Sequence, residues 1–281
     1  MENPEQQSLA SLLNKYQIRP DKDLGQNFLT DPTILAGIVA AAEVTKNDTV
    51  LEIGAGLGHL TSYLAEVANK VIAVELDKKL IPALGDSLGN FQNVTIVQGN
   101  ILELNPADLI QDEEYLVTAN IPYYITSSII RTLLESEKKP KRIILTIQHE
   151  VAQRVCSNAG QLSILALSVR MYGDPVLVNR IPAGAFYPTP KVDSAVIRID
   201  LFPEPLLPPE KRTVFFNLIK AGFQHKRKTL KNSLSKGMRW STEETGNLLT
   251  SAGIDPQRRA QTLTMPEWLK LTSQYDKITH R

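Results

Sequence analysis

The sequence predicts an α/β protein with a doubly wound, mainly parallel seven-stranded sheet and a small all-helical C-terminal domain. Short apolar runs rich in β-branched residues alternate with helical patterns as far as residue 201, and only helical patterns follow residue 209. Such alternation is typical of a parallel sheet with helices on both faces. Between the two parts, LFPEPLLPP (Leu201–Pro209) carries four prolines in nine residues, which excludes a helix or a central strand there. This linker predicts two domains, residues 1–203 and residues 204–281.

The elements of the first domain are expected in the order strand, then helix. Strands are predicted at Thr49–Gly54, Val71–Leu76, Val94–Gly99, Tyr115–Ala119 and Arg142–Gln148, with a final pair at PVLVNRIP and VDSAVIRID. Helices are predicted between them at Leu57–Val67, Lys78–Leu84 and Ser127–Glu135. In the second domain, helices are predicted at Pro209–Phe223, Lys226–Ser235, Thr242–Ser251 and Pro266–Gln274.

The composition indicates a globular protein that neither enters a membrane nor holds a metal. Of the 281 residues, 42% are hydrophobic and 22% are charged, and no apolar run approaches the roughly 20 residues of a membrane span. The N-terminal stretch lacks the basic and apolar regions of a secretory signal. The single cysteine cannot form an internal disulfide, and the four histidines lie far apart. A reducing, cytoplasmic location without a zinc site is therefore expected.

The small net charge of +1 conceals an asymmetry along the chain. Residues 1–204 hold 17 basic and 24 acidic residues, for a net charge of −7, whereas residues 205–281 hold 14 and 6, for +8. A basic end on an acidic body suggests a polyanionic partner. A chance excess of surface lysine is the alternative.

A glycine-rich turn between the first strand and the first helix indicates a nucleoside cofactor. LEIGAGLGHL spaces Gly54, Gly56 and Gly58 as G-x-G-x-G, which differs from the G-x-G-x-x-G of a dinucleotide site. The carboxylate of Glu52, just before the glycines, disfavours phosphate. Glu75 ends the next strand, where an acid usually accepts both hydroxyls of a ribose. S-adenosylmethionine, a positively charged nucleoside without phosphate, satisfies these features; a purely structural glycine turn is the alternative.

A second loop, ANIPYYITSS, follows the fourth strand and predicts a pocket for a planar amine. Asn120 is expected in the same crevice as Gly54 and Glu75, because ligands bind at the carboxyl ends of such strands. The side-chain oxygen of Asn120 and the main-chain oxygen of Ile121 offer two acceptors for an exocyclic amine, and Tyr123 offers a face for stacking. Adenine and cytosine carry such an amine. A proline turn with a core tyrosine is the alternative.

Six segments together resemble the motifs of the ribosomal RNA adenine N6-dimethyltransferases, specifically the group that modifies two adjacent adenosines near the end of small-subunit ribosomal RNA. The resemblance covers nearly the whole chain, in the family's order, and it implies a Rossmann-like methyltransferase sheet. The segments are LGQNFLTD, LEIGAGLG, AVELD, ANIPYYITSS, GAFYPTPKVDSAV and FQHKRKTLKNSL.

The resemblance implies a cofactor contact at each matching position. Asn27 and Leu29 would contact S-adenosylmethionine as a lid, Gly54 would pass close to its methionine part, and Glu75 would hold its ribose hydroxyls. Asn100 falls where the family usually holds the cofactor's adenine amine with an aspartate, so asparagine is a departure here.

The target base is assigned to three side chains by the same resemblance. Asn120, which would also touch the cofactor, and Tyr123 would hold the target adenine, and Phe186 would cover its other face. The base must leave its stack to reach such a pocket. Core packing beside Pro188 and Pro190 is the alternative for Phe186.

A basic segment, Lys220–Arg239, contains seven lysines or arginines and no acid. Solvated helix faces usually mix both signs of charge, so phosphate contacts are the favoured interpretation; a merely solvated face is the alternative. A helix over Lys226–Ser235 would place Lys231 one turn beyond Arg227. The residues assigned to RNA binding are Lys226, Arg227, Lys228 and Lys231.

The expected function is S-adenosylmethionine-dependent dimethylation of adenine N6 in small-subunit ribosomal RNA, within a pre-ribosomal small subunit and by a monomer without a metal. Three alternatives stay open at this point. One is a large-subunit adenine dimethyltransferase, against which KVDSAV and GIDPQRRAQTL argue. Another is a DNA adenine methyltransferase, which normally carries a larger recognition domain. The third is a non-catalytic assembly or transcription factor on the same fold, against which the intact Asn120, Tyr123 and Phe186 argue.

Overall fold

A computed structural model of the protein describes residues 9–112, 114–157 and 160–279. The first eight residues, which bear on the expected absence of a secretory signal, lie outside this part. The chain forms two compact units: Met1–Ala152 with Asp174–Leu201, and Gln153–Gly173 with Phe202–Arg281. Each unit is described below by itself.

Nine strands are found in the first unit or at its boundary. They are β1 (Phe28–Leu29), β2 (Thr49–Ile53), β3 (Lys70–Glu75), β4 (Val94–Gln98), β5 (Leu116–Asn120), β6 (Arg142–Gln148), β7 (Gly173–Ile181), β8 (Phe186–Tyr187) and β9 (Ser194–Leu201). Seven of them form one sheet in the order β4-β3-β2-β5-β6-β9-β7.

Twelve α-helices are described along the chain. They are α1 (Leu9–Lys15), α2 (Pro32–Ala42), α3 (His59–Val67), α4 (Ile81–Leu88), α5 (Pro106–Leu109), α6 (Thr126–Glu135), α7 (His149–Cys156), α8 (Ile164–Arg170), α9 (Pro209–Phe223), α10 (Leu230–Met238), α11 (Thr242–Ser251) and α12 (Met265–Thr279). Among the described residues, no helix is long and apolar enough to cross a membrane.

The seven-stranded sheet confirms the predicted α/β class and its mainly parallel character. Strand β2 pairs in parallel with β3 and β5, and β4 and β6 extend the parallel part on either side. Strand β9 joins β6 antiparallel. All five residues of β2 are buried, as expected for a central strand covered on both faces. The strand order reverses beside β2, so the ends of β2, β3 and β5 border one crevice.

A second, two-stranded sheet was not predicted. β1 pairs antiparallel with β8, with Phe28 opposite Tyr187 and Leu29 opposite Phe186. The pairing joins the N-terminal LGQNFLTD segment to the GAFYPTPKVDSAV segment. Two residues per strand are too few for a periodic pattern, so no local signal announces this sheet.

Two predicted helices begin three or four residues later than expected. Helix α4 starts at Ile81 rather than Lys78, because the side chain of Asp77 accepts a hydrogen bond from the backbone N–H of Lys79 and holds a turn there. Helix α10 starts at Leu230 rather than Lys226, since Thr229 caps it by accepting from the backbone N–H of Asn232. Lys226–Lys228 therefore lie in the turn before α10, and Lys231 is not one helical turn beyond Arg227.

The second unit has its own core around α9. Phe215, Leu218 and Ile219 are fully buried, and the ring of Phe223 stacks on Trp268 with centroids 6.0 Å apart. These apolar side chains of α9 therefore face the core of the unit.

The segment Gln153–Gly173 belongs to this second unit, whereas the division at residue 203 assigns it to the first domain. The backbone N–H of Phe202 donates to the carbonyl of Tyr172 at 2.8 Å, and that of Leu162 donates to the carbonyl of Gln261 at 3.2 Å. The proline-rich linker marks only one of the places where the chain passes between the units, and no comparable composition marks the other two.

Candidate active site

A cleft opens at the carboxyl ends of β2, β3 and β5. Its empty volume, including the open mouth, is about 860 Å³, within the size range of small-ligand sites. Among the described residues, the lining contains no lysine or arginine. It consists of Leu24–Phe28, Ile53, Gly54, Gly56, Val74–Leu76, Leu80, Gly99–Ile101, Asn120–Ile125, Ile129 and Phe186. The cleft thus collects Asn27, Gly54, Glu75, Asn100, Asn120, Tyr123 and Phe186, all of which are predicted site residues.

The glycine turn holds a backbone conformation that only glycine adopts readily. Gly54, Gly56 and Gly58 have φ angles of 77°, 59° and 85°. A Cβ atom on Gly54 would lie 3.2 Å from the carbonyl oxygen of Asn120. The backbone N–H of Gly54 donates to the carbonyl of Val74 at 2.9 Å. The turn is therefore fixed against the ends of β3 and β5 and leaves no side chain between the backbone and a ligand.

Glu75 holds the glycine turn and the loop after β3 in place at the floor of the cleft. One carboxylate oxygen accepts from the backbone N–H of Gly56 and the other from that of Asp77, each at 2.8 Å. Burial raises the pKa of this carboxyl above its ordinary value, and the two backbone donors oppose that rise. Since each oxygen has one backbone donor, each keeps acceptor capacity toward the cleft.

The amide of Asn100 is engaged on both sides by its own loop. Its nitrogen donates to a carboxylate oxygen of Glu103 at 2.8 Å, and its oxygen accepts from the backbone N–H of Leu102 at 3.1 Å. The resemblance assigns this side chain to the adenine amine of the cofactor, whereas the structure shows it capping the turn of its own loop. One lone pair on its oxygen is left, so an adenine contact stays a prediction.

The side chain of Asn120 is oriented by the N-terminal loop. Its amide nitrogen donates to the carbonyl oxygen of Asn27 at 3.3 Å, while the amide of Asn27 donates to the carbonyl of Gly25 at 2.9 Å. The amide oxygen of Asn120 accepts no hydrogen bond from any described residue, and neither does the main-chain oxygen of Ile121. Two acceptors thus remain unused where the cleft meets the end of β5.

Tyr123 and Phe186 also line the cleft, in different surroundings. The hydroxyl of Tyr123 lies 2.7 Å from the Ser194 hydroxyl on β9, which holds the half-buried ring in place. Burial raises the pKa of Tyr123 above its ordinary value. Phe186 is buried and belongs to the apolar cluster that includes Leu29 and Leu35. Its ring therefore has a core role as well as a place in the cleft wall.

Leu29 is the one predicted cofactor residue that does not line the main cleft. Its side chain is buried in the core and borders a smaller adjoining cavity, which shares Gly54 and Asn120 with the cleft. Because the side chain of Leu29 is packed in the core, it cannot itself move as a lid. Its contact with a cofactor stays a prediction.

The smaller cavity also contains a buried acid, Glu52. One of its carboxylate oxygens has no hydrogen-bond partner among the described residues. Burial raises the pKa of Glu52 to about 8, and the charge of Glu75 adds to the rise. A buried acid beside this cavity suits a cationic group better than a phosphate.

The N-terminal loop contributes residues that the sequence does not single out. Gln26 lines the cleft and donates through its side-chain nitrogen to a carboxylate oxygen of Asp77 at 2.9 Å. Its place beside Asn27 in LGQNFLTD was the available signal. Ser194, which holds Tyr123, has the same kind of signal in KVDSAV, but a serine hydroxyl gives no indication of its partner.

The basic segment lies in the second unit, on α9, α10 and the turn that joins them. Lys226, Arg227 and Lys228 are exposed in that turn, and Lys231 is half-buried on α10. In the part of the chain that the structure describes, these four side chains make no ion pair. Their charge is therefore not balanced by local acids. No group of acids, histidines and cysteines that could hold a metal occurs among the described residues.

Comparison with known proteins places this site in a family. The family model for ribosomal RNA adenine dimethylases matches residues 18–277. The ribosomal RNA small subunit methyltransferase A of Dehalococcoides mccartyi strain CBDB1 is 43% identical over 94% of this chain and 91% of its own length. The protein of that name from Alkaliphilus metalliredigens is 39% identical, over 94% of each chain.

Solved structures agree in fold. A dimethyladenosine transferase from Plasmodium falciparum superposes with a TM-score of 0.77 at 26% identity, over 89% of this chain and 98% of its own. The 23S rRNA methyltransferase ErmE superposes with a TM-score of 0.74 at 27% identity, over 89% of this chain and all of its own. The family match spans both units and every predicted site residue. The chain belongs to the ribosomal RNA adenine dimethylase family.

Proposed function

We propose that the protein transfers methyl groups from S-adenosylmethionine to the N6 amines of two adjacent adenosines near the 3′ end of small-subunit ribosomal RNA, so that both become dimethylated. The observation that carries the proposal is the pair of unused acceptors on Asn120 and Ile121, beside the tyrosine face of Tyr123. An exocyclic amine with two hydrogens matches two acceptors.

The cofactor is assigned to the part of the cleft between the glycine turn and Asn100. The lining offers acceptors to a ribose at Glu75, an open backbone at Gly54, and no cation that would oppose a sulfonium. These features suit a positively charged nucleoside. When bound there, S-adenosylmethionine supplies an electrophilic methyl group. Asn27 borders this region from the N-terminal side, Leu29 lies beside the smaller adjoining cavity, and Asn120 adjoins both ligands.

Asn120 and Ile121 act on the target amine. Its nitrogen is a poor nucleophile because its lone pair is delocalised into the ring. In the first transfer, acceptors on both N–H bonds draw the nitrogen toward tetrahedral geometry and free the lone pair for attack on the methyl group. The nitrogen then gives up one proton, so one N–H bond remains for an acceptor in the second transfer, after which the second proton leaves. The hydrogen bond from the Asn120 amide to Asn27 fixes which atom faces the amine. Such preorganised partners contribute chiefly in the transition state.

The target ring is held by stacking. Tyr123 is fixed through Ser194 and offers one face, and Phe186 covers the other. Base–aromatic stacking contributes about 1–3 kcal/mol per base. The same stacking contacts help to offset the free energy that is needed to extrude the base from its stack.

The helical domain, residues 204–281, is assigned to RNA binding. Among the described residues, no acid pairs with the exposed Lys226, Arg227 and Lys228 or with Lys231. These cations are therefore available to bind phosphates. Their contacts would be independent of sequence and strongly dependent on salt. The recognition of two particular adenosines then falls to the cleft and to the shape of the ribosomal RNA.

The small subunit is favoured over the large one by degree of similarity. The relatives named for the small subunit are 39–43% identical to this chain, whereas the 23S enzyme is 27% identical. A non-catalytic assembly factor is disfavoured because the acceptors and both aromatic walls are present. We place the protein in the cytoplasm, as a monomer without metal, acting on a maturing small subunit.

The proposal is tested by methylation with tritiated S-adenosylmethionine. Unmethylated small subunits, free small-subunit ribosomal RNA and large subunits are compared, and the labelled nucleotides are mapped. Label on two adjacent adenosines near the 3′ end of the small-subunit RNA is expected. Label confined to the large subunit, or none on any substrate, would refute the assignment.

A further inference from the structure

One tyrosine of the cleft faces outward. Tyr124 lines the cleft, yet 64% of it is exposed. Of the exposed large apolar residues in the described part of the chain, only Tyr124 and Leu76 line this cleft. Tyr124 therefore presents an accessible aromatic ring at the mouth of the cleft.

The local backbone explains the position of this ring. Tyr123–Ile125 forms a single 3₁₀ turn, in which consecutive side chains diverge by about 120°. Tyr123 is therefore directed inward to Ser194 while Tyr124 is directed to the rim. A Cβ atom on Gly25 would lie 3.6 Å from a ring carbon of Tyr124 and 3.0 Å from Cβ of Pro122. One ring carbon thus lies beside the N-terminal loop, while most of the residue stays exposed.

We propose that Tyr124 is a stacking platform for the nucleotide next to the adenosine undergoing methylation. The inference rests on the proposed function. When one adenosine enters the pocket beside Tyr123, its neighbour on the strand is left at the mouth, where Tyr124 lies. Enzymes that act on extruded bases commonly select their context through such flanking nucleotides.

The test uses a synthetic RNA that contains the two adjacent adenosines, in three forms: intact, with the first adenosine made abasic, and with the second made abasic. Equilibrium binding, KM and kcat are measured for the wild-type protein, Tyr124→Ala, Tyr124→Phe and Leu76→Ala. On intact RNA, Tyr124→Ala is expected to raise the RNA Kd and KM by about fivefold or more, the effect of losing one stacked base. Its kcat and cofactor affinity should stay close to the wild-type values, and Tyr124→Phe should behave like the wild type.

The abasic RNAs identify the partner. On the form that lacks the stacked neighbour, the wild type and Tyr124→Ala should become equal within about twofold, because the base that would stack is gone. The effect of Leu76→Ala, a rim residue without a ring, should be the same on all three RNAs. An equal Tyr124→Ala effect on all three RNAs, or a loss of cofactor affinity alone, would overturn the inference. If the wild type neither binds nor methylates any form, the proposed function fails, and the platform with it.

Discussion

The cleft of the first unit and the basic segment of the second recognise ligands in opposite physical ways. In the cleft, polar groups are tied to one another at fixed distances: Glu75 to Gly56, Asn120 to Asn27, and Tyr123 to Ser194. In the basic segment, cations project into solvent without a described acid partner. Short directional hydrogen bonds determine how the reacting groups are oriented. Exposed charges attract RNA over a longer distance, and salt screens that attraction. The two regions should therefore respond differently to mutation and to ionic strength.

The largest expected effect is at Asn120. Asn120→Ala removes an acceptor that is used mainly in the transition state, so kcat should fall by about 100-fold or more. Cofactor affinity should change by much less. Single-turnover methylation and calorimetric titration of the cofactor give the two numbers, with thermal unfolding as the control for folding. A folded Asn120→Ala protein with near-normal turnover would end the assignment.

Charge reversal in the basic segment should give the complementary result. Arg227→Glu and Lys228→Glu, singly and together, should weaken RNA binding and flatten its salt dependence, by about one unit of log–log slope for each phosphate that the variant no longer binds. Cofactor affinity should not change. Lys270→Glu, on α12 of the same unit, alters charge by the same amount outside the basic segment. If Lys270→Glu and Arg227→Glu shift the salt slope equally, the segment has no special role.

The buried acid beside the cleft predicts a pH dependence of stability. The pKa of Glu52 in the folded protein is raised to about 8 from an ordinary 4.5, so the folded state binds the proton more tightly than the unfolded state. The resulting stabilisation is full below the ordinary pKa and is lost as pH rises through about 8.

Denaturant unfolding without cofactor should therefore show the wild type losing stability, on the order of a few kcal/mol, between pH 5 and pH 8. Glu52→Gln cannot ionise and should lose less over the same range. Parallel curves for the two proteins would show that Glu52 is not the group responsible.

The smallest expected effect is at Asn100. Asn100→Ala should weaken cofactor binding, since it removes an acceptor that contributes about 0.5–1.5 kcal/mol. Asn100→Asp provides a charged acceptor but places it against the carboxylate of Glu103, which now accepts from the amide.

The pair Asn100→Asp and Glu103→Gln removes that repulsion and should tighten cofactor binding by a few-fold, with Glu103→Gln alone as the matched control. Calorimetry on these variants decides the role of Asn100. If none of them changes cofactor affinity, Asn100 only caps its turn.

The parts of the fold that sequence predicts well are those with strong local patterns. Strand Arg142–Gln148 and the helices Pro209–Phe223 and Thr242–Ser251 lie where apolar periodicity and end signals place them. The predicted start of α10 at Lys226 was wrong. The helical pattern continues on the N-terminal side of Thr229, but Thr229 caps the helix, which therefore begins at Leu230. The pairing of β1 with β8 joins segments far apart in the chain, and no local signal specifies such a contact.

In the candidate site, too, local sequence patterns could be predicted, and contacts between distant segments could not. Gly54, Glu75 and Asn120 could be placed together because each ends a neighbouring strand of a parallel sheet. The contacts that orient Asn120 and Tyr123 could not be predicted, since Asn27 and Ser194 reach these side chains through tertiary packing. The core position of Leu29 and the Glu103 contact of Asn100 depend on the same kind of information.

The division between chemistry and electrostatic binding is tested most directly by counting N6,N6-dimethyladenosine in small subunits by mass spectrometry after exhaustive reaction. At low salt and saturating protein, the wild type and Arg227→Glu/Lys228→Glu should both reach two dimethylated adenosines per subunit, and Asn120→Ala should stay near zero. Raising the salt should slow the charge-reversed variant less steeply than the wild type, because fewer of its phosphate interactions are sensitive to salt. Two dimethylated adenosines from Asn120→Ala, or none from the charge-reversed variant at low salt, would contradict the account.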